Sequence, residues 1–544
     1  MTIMMKKSIF SIIAISMIAL GACTDMNEML PEGGTVLDSQ FEEIIEADPS
    51  RADAIFNGMY TKMGEPAGIF PGRPDDFGFL MQDFSNDLEA GDVMLPNSTY
   101  NWWRVCGKMT TRNADKANAY IRYASCYLEN AATNDVLKIL PKDSKDPEII
   151  AKRGQAHALR AYTYMRLAPY FQFNYQDAKD KPCVPIVDEN TTEFTENPRA
   201  TVEEVYNFIL SDLESALTEL EGFQRPNKGR VDQQVVYGLL ARVYLNMENY
   251  QEALKYAEKA AEGFTPASIE EVSHPSFMDI SEHNWIWGYD MTTVVASYDQ
   301  TATASGWIRP FSANAYGPYT GTYAYCNNIL YEKIPDTDVR KGWWVDENLE
   351  SPLLDGEEWD GLEGNDIAKG YLEDVKDPFL PLTNVKFGCY TMGTMDNDED
   401  WPFMRVEEML LIQAECQERL GNTGEAVRIL TDFVKTYRDP SYDPKGRGLS
   451  LLDEIWFQRR VELWGEGLAN NDTRRLRKPF VRFTDAETSN VPDAFRFNIA
   501  ADDPWLLLRF PRKETNTNMG IIDNTGGETP VQDQNAGLRD GVTD

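Results

Sequence analysis

The amino-acid sequence predicts a mainly α-helical protein with a loop-rich, aromatic region that contains short strands. Hydrophobic residues recur at the three- and four-residue spacing of amphipathic helices through much of the chain. Between residues 264 and 400 this spacing fades, while Trp, Tyr, Gly, Pro, Asp and Asn become frequent. The 544 residues can bury a large core, either in one composite unit or in two or three domains.

The N-terminus has the features of an exported lipoprotein. Lys6 and Lys7 precede an apolar stretch, residues 9–20, and the sequence Leu-Gly-Ala-Cys ends at Cys23. Two cations, a short apolar segment and small residues form a secretory signal peptide. A Cys directly after Leu-Gly-Ala resembles the bacterial lipobox, in which the thiol is acylated. We therefore expect residues 1–22 to be removed and Cys23 to carry a lipid anchor; the alternative is an ordinary signal peptide with a chance Cys.

The charge of the chain excludes some partners. The formal net charge is −36, and it becomes −38 when residues 1–22, which hold two Lys and no acidic residue, are removed. Phosphate contacts need Lys and Arg patches, so we expect no nucleic-acid partner. Anionic headgroups are also repelled, so lipid rather than protein charge must hold the chain at a membrane.

Cysteine and histidine patterns give no metal or cofactor site. No C-x-x-C pair occurs among the six cysteines after Cys23, and the three histidines are widely separated. Cys126 and Cys416 lie within helical patterns and are expected to be small core residues. Export permits disulfides, so the disulfide state stays open.

Helical periodicity is clearest in two parts of the chain. It predicts helices over residues 113–129, 147–171, 201–220, 233–247, 250–263, 404–420, 424–437 and 451–465. Thr201 and Glu204 form a capping box at the start of one of them. Between the two parts, alternating aromatic residues over 285–289 predict a short strand.

Two helix pairs show the spacing of tetratricopeptide repeats. Ala241 and Ala253 are twelve residues apart, as are Ala414 and Ala426. This step places small residues where two neighbouring helices touch closely. The scaffold is thus predicted to contain tetratricopeptide-type hairpins, with generic helical hairpins as the alternative.

Several segments, in order along the mature chain, resemble the SusD/RagB family of outer-membrane nutrient-binding lipoproteins of Bacteroidetes. The sharpest is Arg-Arg-Val-Glu-Leu-Trp-Gly-Glu-Gly over residues 459–467, followed by Asp472 and Arg475. Residues 199–206, 404–415 and 508–518 also resemble family segments. One departure is Ala-Asn-Asn at 469–471, where aromatic or basic residues are commoner, which puts a local packing contact in doubt.

The resemblance implies a SusD-like fold and a domain organisation. Residues 1–22 are the signal peptide and 23–50 a lipidated tether. Residues 51–265 form an N-terminal helical region with repeats, 266–400 a variable aromatic-rich loop region, and 401–544 a C-terminal region with the last repeat and a tail. The implied location is the outer membrane, facing the cell exterior.

The resemblance also implies a function. Family members capture a glycan, or sometimes a peptide, without catalysis and pass it to a SusC-like TonB-dependent transporter. Sugar rings pack their C–H faces on aromatic side chains, and their hydroxyls need polar partners. The expected ligand-binding residues, chosen by region and composition, are Tyr100, Trp102, Trp103, Tyr298, Trp307, Tyr316, Tyr319, Tyr323 and Tyr325.

Other readings remain open from the sequence. A glycoside hydrolase needs a carboxylate pair, but the Arg-rich surroundings of Glu462 and Glu466 favour ionised structural carboxylates over a general acid. A pure interaction scaffold is a third class, because tetratricopeptide grooves often bind peptides. The sequence names neither the ligand nor the surface that meets the transporter.

An acidic stretch near residue 400 has a calcium-loop spacing. Asp396, Asp398, Asp400 and Glu407 occupy positions 1, 3, 5 and 12 of such a loop. Position 6 is Trp401 where the loop requires Gly. An acidic turn before a helix N-terminus is the simpler interpretation, and we expect no metal.

Overall fold

The computed structural model describes residues 44, 45 and 47–544, apart from 66, 67, 72, 74, 99–101, 111, 292–304, 313–315 and 395–396 and the side chains of 305, 306 and 316. Cys23 lies outside the described residues, as do Tyr100, Tyr298 and Asp396. The described chain is mainly helical with short strands, which confirms the predicted fold class. No helix in this part is long and apolar enough to span a bilayer.

Long helices build the N-terminal part. They are α1 (Asp53–Lys62), α2 (Gly78–Ala90), α3 (Ala117–Ile139), α4 (Pro147–Phe171), α5 (Val202–Glu219), α6 (Gln233–Asn246) and α7 (Tyr250–Ala261). The predicted capping box begins α5, since the Glu204 N–H donates to Thr201 Oγ1 at 3.2 Å and the Thr201 N–H donates to the Glu204 carboxylate at 2.8 Å. Helix α3 runs past its predicted end at residue 129, because Thr133, Val136 and Leu137 pack into the core.

The C-terminal part has four further labelled helices. They are α8 (Val406–Arg419), α9 (Thr423–Tyr437), α10 (Leu451–Glu462) and α11 (Ala469–Arg475). The prediction that a helix starts at residue 404 is wrong, because residues 401–405 pair as a strand. Helix α10 ends at Glu462, earlier than predicted, ahead of a turn in which Gly465 has a φ of +81°.

Short elements complete the chain. The remaining α-helical turns are Arg104–Gly107, Tyr175–Ala178, Ser305–Ile308, Tyr316–Thr320, Asn328–Tyr331, Asp366–Lys369 and Arg512–Thr517. The 3-10 turns are Pro49–Ala52, Glu271–Ser273, Val339–Trp343, Pro352–Leu354, Asp493–Phe495 and Pro504–Leu506.

The strands of the described chain form antiparallel pairs. They are β1 (Val93–Met94) with β3 (Tyr325–Cys326), β2 (Trp285–Tyr289) with β6 (Trp401–Arg405), and β4 (Glu358–Trp359) with β5 (Leu362–Glu363). Strand β2 has the bounds predicted from its alternating aromatic residues. All five of its residues are buried, so Trp285 and Trp287 are core residues.

The helical hairpins pack through small residues. Helix α6 packs on α7 and α8 on α9, with Ala241, Ala253, Ala414 and Ala426 fully buried. Helix α7 also packs on α8, which joins the two hairpins. The four small residues are therefore buried in packed hairpins, while the assignment to tetratricopeptide repeats stays a prediction.

One large hydrophobic core runs through all three predicted regions. It includes Met59 in α1, Trp287 in the loop-rich region and Trp464 after α10. Cys126 and Cys416 are buried in it, as predicted. The six cysteines of the described chain carry free thiols.

Candidate functional site

The two zones expected to bind the ligand adjoin in the structure. Pairing of β1 with β3 brings the segment after residue 94 alongside the segment before residue 325. Ser98 Oγ lies 3.0 Å from Thr322 Oγ1, and the Trp103 and Trp307 rings meet edge to face at 6.0 Å. Residues more than 200 positions apart in the chain therefore share one site.

Trp102 presents an aromatic ring at this site. The residue is 40% exposed, and the Arg73 guanidinium lies 5.7 Å from the ring centroid, within the range of a cation–π contact. Asp75, which is fully buried, fixes Arg73 through two hydrogen bonds of 2.5 and 2.8 Å. These bonds raise the pKa of Arg73. The site thus combines an open ring with a permanently charged, oriented donor group.

Tyr319 is the second exposed aromatic residue, at 63% exposure. Its short helix is held in place by a 2.8 Å hydrogen bond from the Asp377 N–H to the Pro318 carbonyl. Thr320 donates to Thr322, which in turn contacts Ser98. We call Arg73, Ser98, Trp102 and Tyr319 the Trp102 face.

Four of the other expected residues are buried. They are Trp103, Trp307, Tyr323 and Tyr325. Trp103 packs edge to face on Phe77 and Phe84, so its ring belongs to the core. The hydroxyls of both tyrosines donate to backbone carbonyls, of Asp377 at 2.6 Å and Asn490 at 3.1 Å. In this structure these four rings support the site and offer no open face to a ligand.

The remaining expected residues have no described side chain. Tyr100 and Tyr298 lie outside the described residues, and only the backbone of Tyr316 is described. Direct ligand contact by Trp102 and Tyr319 stays a proposal.

Sequence reasoning missed Arg73. Its contact with Trp102 depends on how the chain folds between the two residues, which no local pattern reveals. The adjacent acidic pair, Asp75 and Asp76, was the one feature of the sequence that could have drawn attention to Arg73. Asp76 accepts hydrogen bonds from the N–H groups of Ile69 and Phe70 at 2.7 and 2.5 Å and so closes the loop that carries Arg73. Burial raises the pKa of Asp76 to about 6.

The motif at residues 459–467 supports the Trp102 face by holding the chain segment that leads to Trp102. The Arg460 guanidinium contacts the Asp92 carboxylate at 2.6 Å, and Trp464 Nε1 donates to the Asp92 carbonyl at 2.8 Å. The same carbonyl accepts from the Asn327 N–H at 3.1 Å. Since Asp92 directly precedes β1, the motif fixes the start of the segment that leads to Trp102.

Two glycines let this motif pack closely. Gly465 and Gly467 both have positive φ, at +81° and +83°. A Cβ atom at 467 would lie 2.5 Å from the Asp83 Cα. The Gly467 N–H donates to the Asp87 carboxylate at 2.9 Å, which ties the turn to α2. A side chain at this position would force the turn away from α2.

The two glutamates of the motif lie in a buried ion network. Glu462 contacts Arg438 at 2.7 Å, Arg405 at 3.1 Å and Arg340 at 3.2 Å, and all four side chains are fully buried. Glu466 contacts Lys386 at 2.7 Å and Arg405 at 2.8 Å.

The cations around these glutamates decide their protonation. Burial on its own would raise the pKa of Glu462, but Arg438, Arg405 and Arg340 outweigh it and the pKa is lowered. The pKa of Glu466 is lowered in the same way by Arg405 and Lys386. A general acid needs a raised pKa, so these carboxylates have the properties of structural ion pairs, as the sequence predicted.

Two residues of the calcium-type spacing have protein partners. Glu407 Oε1 accepts from the Ala267 N–H at 3.0 Å and from Asn284 Nδ2 at 2.9 Å, and its carboxylate also contacts Arg405 and Arg438. Asp400 accepts from two backbone N–H groups. These contacts explain the two carboxylates without a shared cation, while Asp396 lies outside the described residues.

Comparison with known sequences identifies the family. A family model described as "SusD-like_3: Starch-binding associating with outer membrane" matches residues 78–245. A second, described as "SusD family", matches residues 386–526, and the two together cover more than half of the chain. The chain belongs to the SusD family. No match was found among curated proteins.

Solved structures share the fold over nearly their whole length. A SusD-like carbohydrate binding protein from Bacteroides vulgatus superposes with a TM-score of 0.68 at 22% identity, covering 88% of this chain and 98% of that one. A SusD superfamily protein from Bacteroides thetaiotaomicron superposes with a TM-score of 0.64 at 19% identity, covering 88% of this chain and 99% of that one. Surface glycan-binding protein A from the same species, in complex with laminarihexaose, superposes with a TM-score of 0.58 at 18% identity. The match covers 87% of this chain and 99% of that one.

Proposed function

We propose that the chain is a non-catalytic lipoprotein that binds a glycan at the Trp102 face and delivers it to a SusC-like TonB-dependent transporter in the outer membrane. Family membership supports glycan binding, since one matching family is described as starch-binding and associating with the outer membrane. The fold neighbour that holds laminarihexaose supports it as well. No cofactor or metal enters the proposal.

The observation that carries the proposal is the exposed Trp102 ring beside the Arg73 guanidinium, with the Ser98 hydroxyl four residues earlier in the chain. A sugar stacks its C–H face on an aromatic ring, while guanidinium and hydroxyl groups bond its own hydroxyls. Because Asp75 holds Arg73 in place, little side-chain entropy is lost when a ligand binds. Tyr319 adds a second exposed ring, on a short helix that the hydrogen bonds of Thr320 and Thr322 link to Ser98.

Two further features support a role without catalysis at the cell surface. The carboxylates of the family motif are bound by arginine and lysine, as described above. The apolar stretch at residues 9–20 is followed by Gly-Ala and then by Cys23, which would carry the lipid. The acidic tether, residues 23–50, would then let the folded body reach a neighbouring transporter.

The direct test is binding by purified residues 24–544. Native affinity electrophoresis in gels that contain single polysaccharides should show retarded migration with at least one glycan. Trp102→Ala and Tyr319→Ala should lose most of this retardation. Leu420→Ala is the matched control, because Leu420 follows α8 and is 41% exposed, like Trp102.

A peptide ligand is the competing outcome. Retention of peptides by an array, with no retardation in any polysaccharide gel, would replace the glycan proposal. Release of shorter products from a bound polysaccharide would instead indicate a hydrolase.

A further inference from the structure

A groove on the N-terminal helical part lies along α3. Its walls are α3, the loop over residues 185–197 and the short helix Arg512–Thr517. One end encloses about 490 Å³, within the range of ligand pockets. The other end reaches Gly68 and Ile69, and both ends share Tyr123, Tyr127, Glu514 and Thr517. We call this continuous depression the α3 groove.

The α3 groove connects with the Trp102 face through aromatic contacts. Arg73, which lies over Trp102, is also 5.9 Å from the centroid of the Phe70 ring. Phe70 meets Tyr120 edge to face at 5.4 Å, and Tyr120 lines the groove. Tyr120, Tyr123 and Tyr127 follow one another at helical spacing and so share one side of α3. An unbroken series of contacts therefore leads from Trp102 into the groove.

The far end of the groove has an open aromatic ring and a buried polar acceptor. Phe194 is 56% exposed and lines it. Asn130 is 1% exposed, and its Nδ2 donates to the Val187 carbonyl at 2.9 Å. Its Oδ1 has no hydrogen-bond partner among the described residues although the side chain lines the groove. A buried acceptor without a donor costs free energy, which a ligand hydroxyl would recover.

The lining selects the charge of the ligand. Asp135, Asp188, Glu189 and Glu514 line this end of the groove; Lys138 is the basic residue of the lining, and Arg160 pairs with Glu189 at 2.6 Å, so acidic side chains still outnumber basic ones. This lining repels uronic or sulfated chains. The walls are two helices and a loop, so they do not offer the strand edge on which extended peptides commonly bind. A neutral, hydroxyl-rich chain fits this chemistry.

We propose that the α3 groove holds a second stretch of the same neutral glycan that binds at the Trp102 face. From Tyr120 to Asn134 the helix alone extends about 21 Å at 1.5 Å per residue. The ligand class is therefore a neutral polysaccharide or long oligosaccharide, and short sugars contact only part of the track. This inference rests on the proposed glycan binding at the Trp102 face.

The test blocks the groove at an exposed position. Ala131 lines the groove on the surface of α3, and Ala131→Arg keeps a good helix former while filling the depression. Ala54→Arg is the matched control, because Ala54 is an exposed helical alanine on α1. Phe194→Ala is a second groove variant that leaves α3 intact. Thermal melts establish that all three proteins fold.

The probes are polysaccharide gels of amylopectin, laminarin, galactomannan and xyloglucan, with polygalacturonate and heparin as anionic probes. For each neutral glycan that retards the wild type, Ala131→Arg should bind at least about tenfold more weakly and Phe194→Ala about threefold to tenfold more weakly. Ala54→Arg should bind each of these neutral glycans like the wild type. Neither polygalacturonate nor heparin should retard the wild type.

The outcomes separate this inference from the proposed function. Loss of binding in Trp102→Ala together with wild-type binding in both groove variants would overturn the groove alone. Retardation by the anionic probes only would overturn the neutral-glycan class. If none of the six polysaccharides retards the wild type, both the groove inference and the proposed function fail.

Discussion

Replacing Glu462 by Gln is expected to destabilise the folded chain strongly. The substitution keeps the size of the side chain and removes its negative charge. Glu462 forms a two-pronged contact with Arg438, at 2.7 and 2.8 Å, and single contacts with Arg405 and Arg340. The amide of Gln can accept with its oxygen, while its NH₂ group would face a guanidinium that also only donates.

The magnitude follows from the burial of the network. Removing one partner of a buried ion pair costs about 3–5 kcal/mol, because the remaining charge stays in a site without water. All the side chains involved are fully buried, so the full cost applies. We therefore expect a loss of about 3–5 kcal/mol in the free energy of unfolding.

Urea unfolding followed by tryptophan fluorescence measures this loss. The matched control is Glu425→Gln on α9, whose exposed contact with Arg428 should contribute nothing measurable. Under native conditions, folded Glu462→Gln should bind the same glycan as the wild type. An unfolding midpoint equal to that of the wild type would refute the structural role of Glu462.

Three further outcomes are expected. Burial raises the pKa of Asp400 to about 7, against an ordinary value of 3.8, so between these pH values the folded chain holds a proton that the unfolded chain has lost. Lowering the pH from about 8 to about 5 should therefore raise the free energy of unfolding more in the wild type than in Asp400→Asn. Parallel curves of unfolding free energy against pH, measured with urea, would contradict this. Trp103→Ala should cost about 3–5 kcal/mol in urea unfolding because the ring is fully buried, whereas Trp102→Ala should cost less than about 1 kcal/mol; equal costs would contradict the assigned burial. Cys23→Ala should release the protein from the outer-membrane fraction in cells that lack the transporter, and retention there would show that lipid is not the anchor.

Much of the helical scaffold could be predicted from the sequence, because it depends on local patterns. The bounds of α4 and the capping box of α5 follow directly from spacing and side-chain chemistry. The end of α3 could not be predicted, because Asn and Thr after residue 129 have low helix propensity and tertiary packing overrides it. Strand β6 was missed for a similar reason, since its partner β2 lies more than 100 residues earlier.

The site was predicted only by region. Trp102 and Trp103 are neighbours of the same residue type, yet one ring is exposed and the other packs on Phe77 and Phe84. This difference depends on the direction of one turn in three dimensions. Arg73 is marked in the sequence only by the acidic pair beside it, and Asn130 has no such mark, because their roles arise from contacts with other segments.

Glycan binding at the Trp102 face is the central claim, and one measurement tests it most directly. Dissociation constants of residues 24–544 and of Trp102→Ala for the glycan that retards the wild type most should be compared with the constant of Leu420→Ala. We predict that Trp102→Ala binds about tenfold more weakly or worse, with an unchanged unfolding midpoint, while Leu420→Ala binds like the wild type. Wild-type affinity in Trp102→Ala would contradict the account.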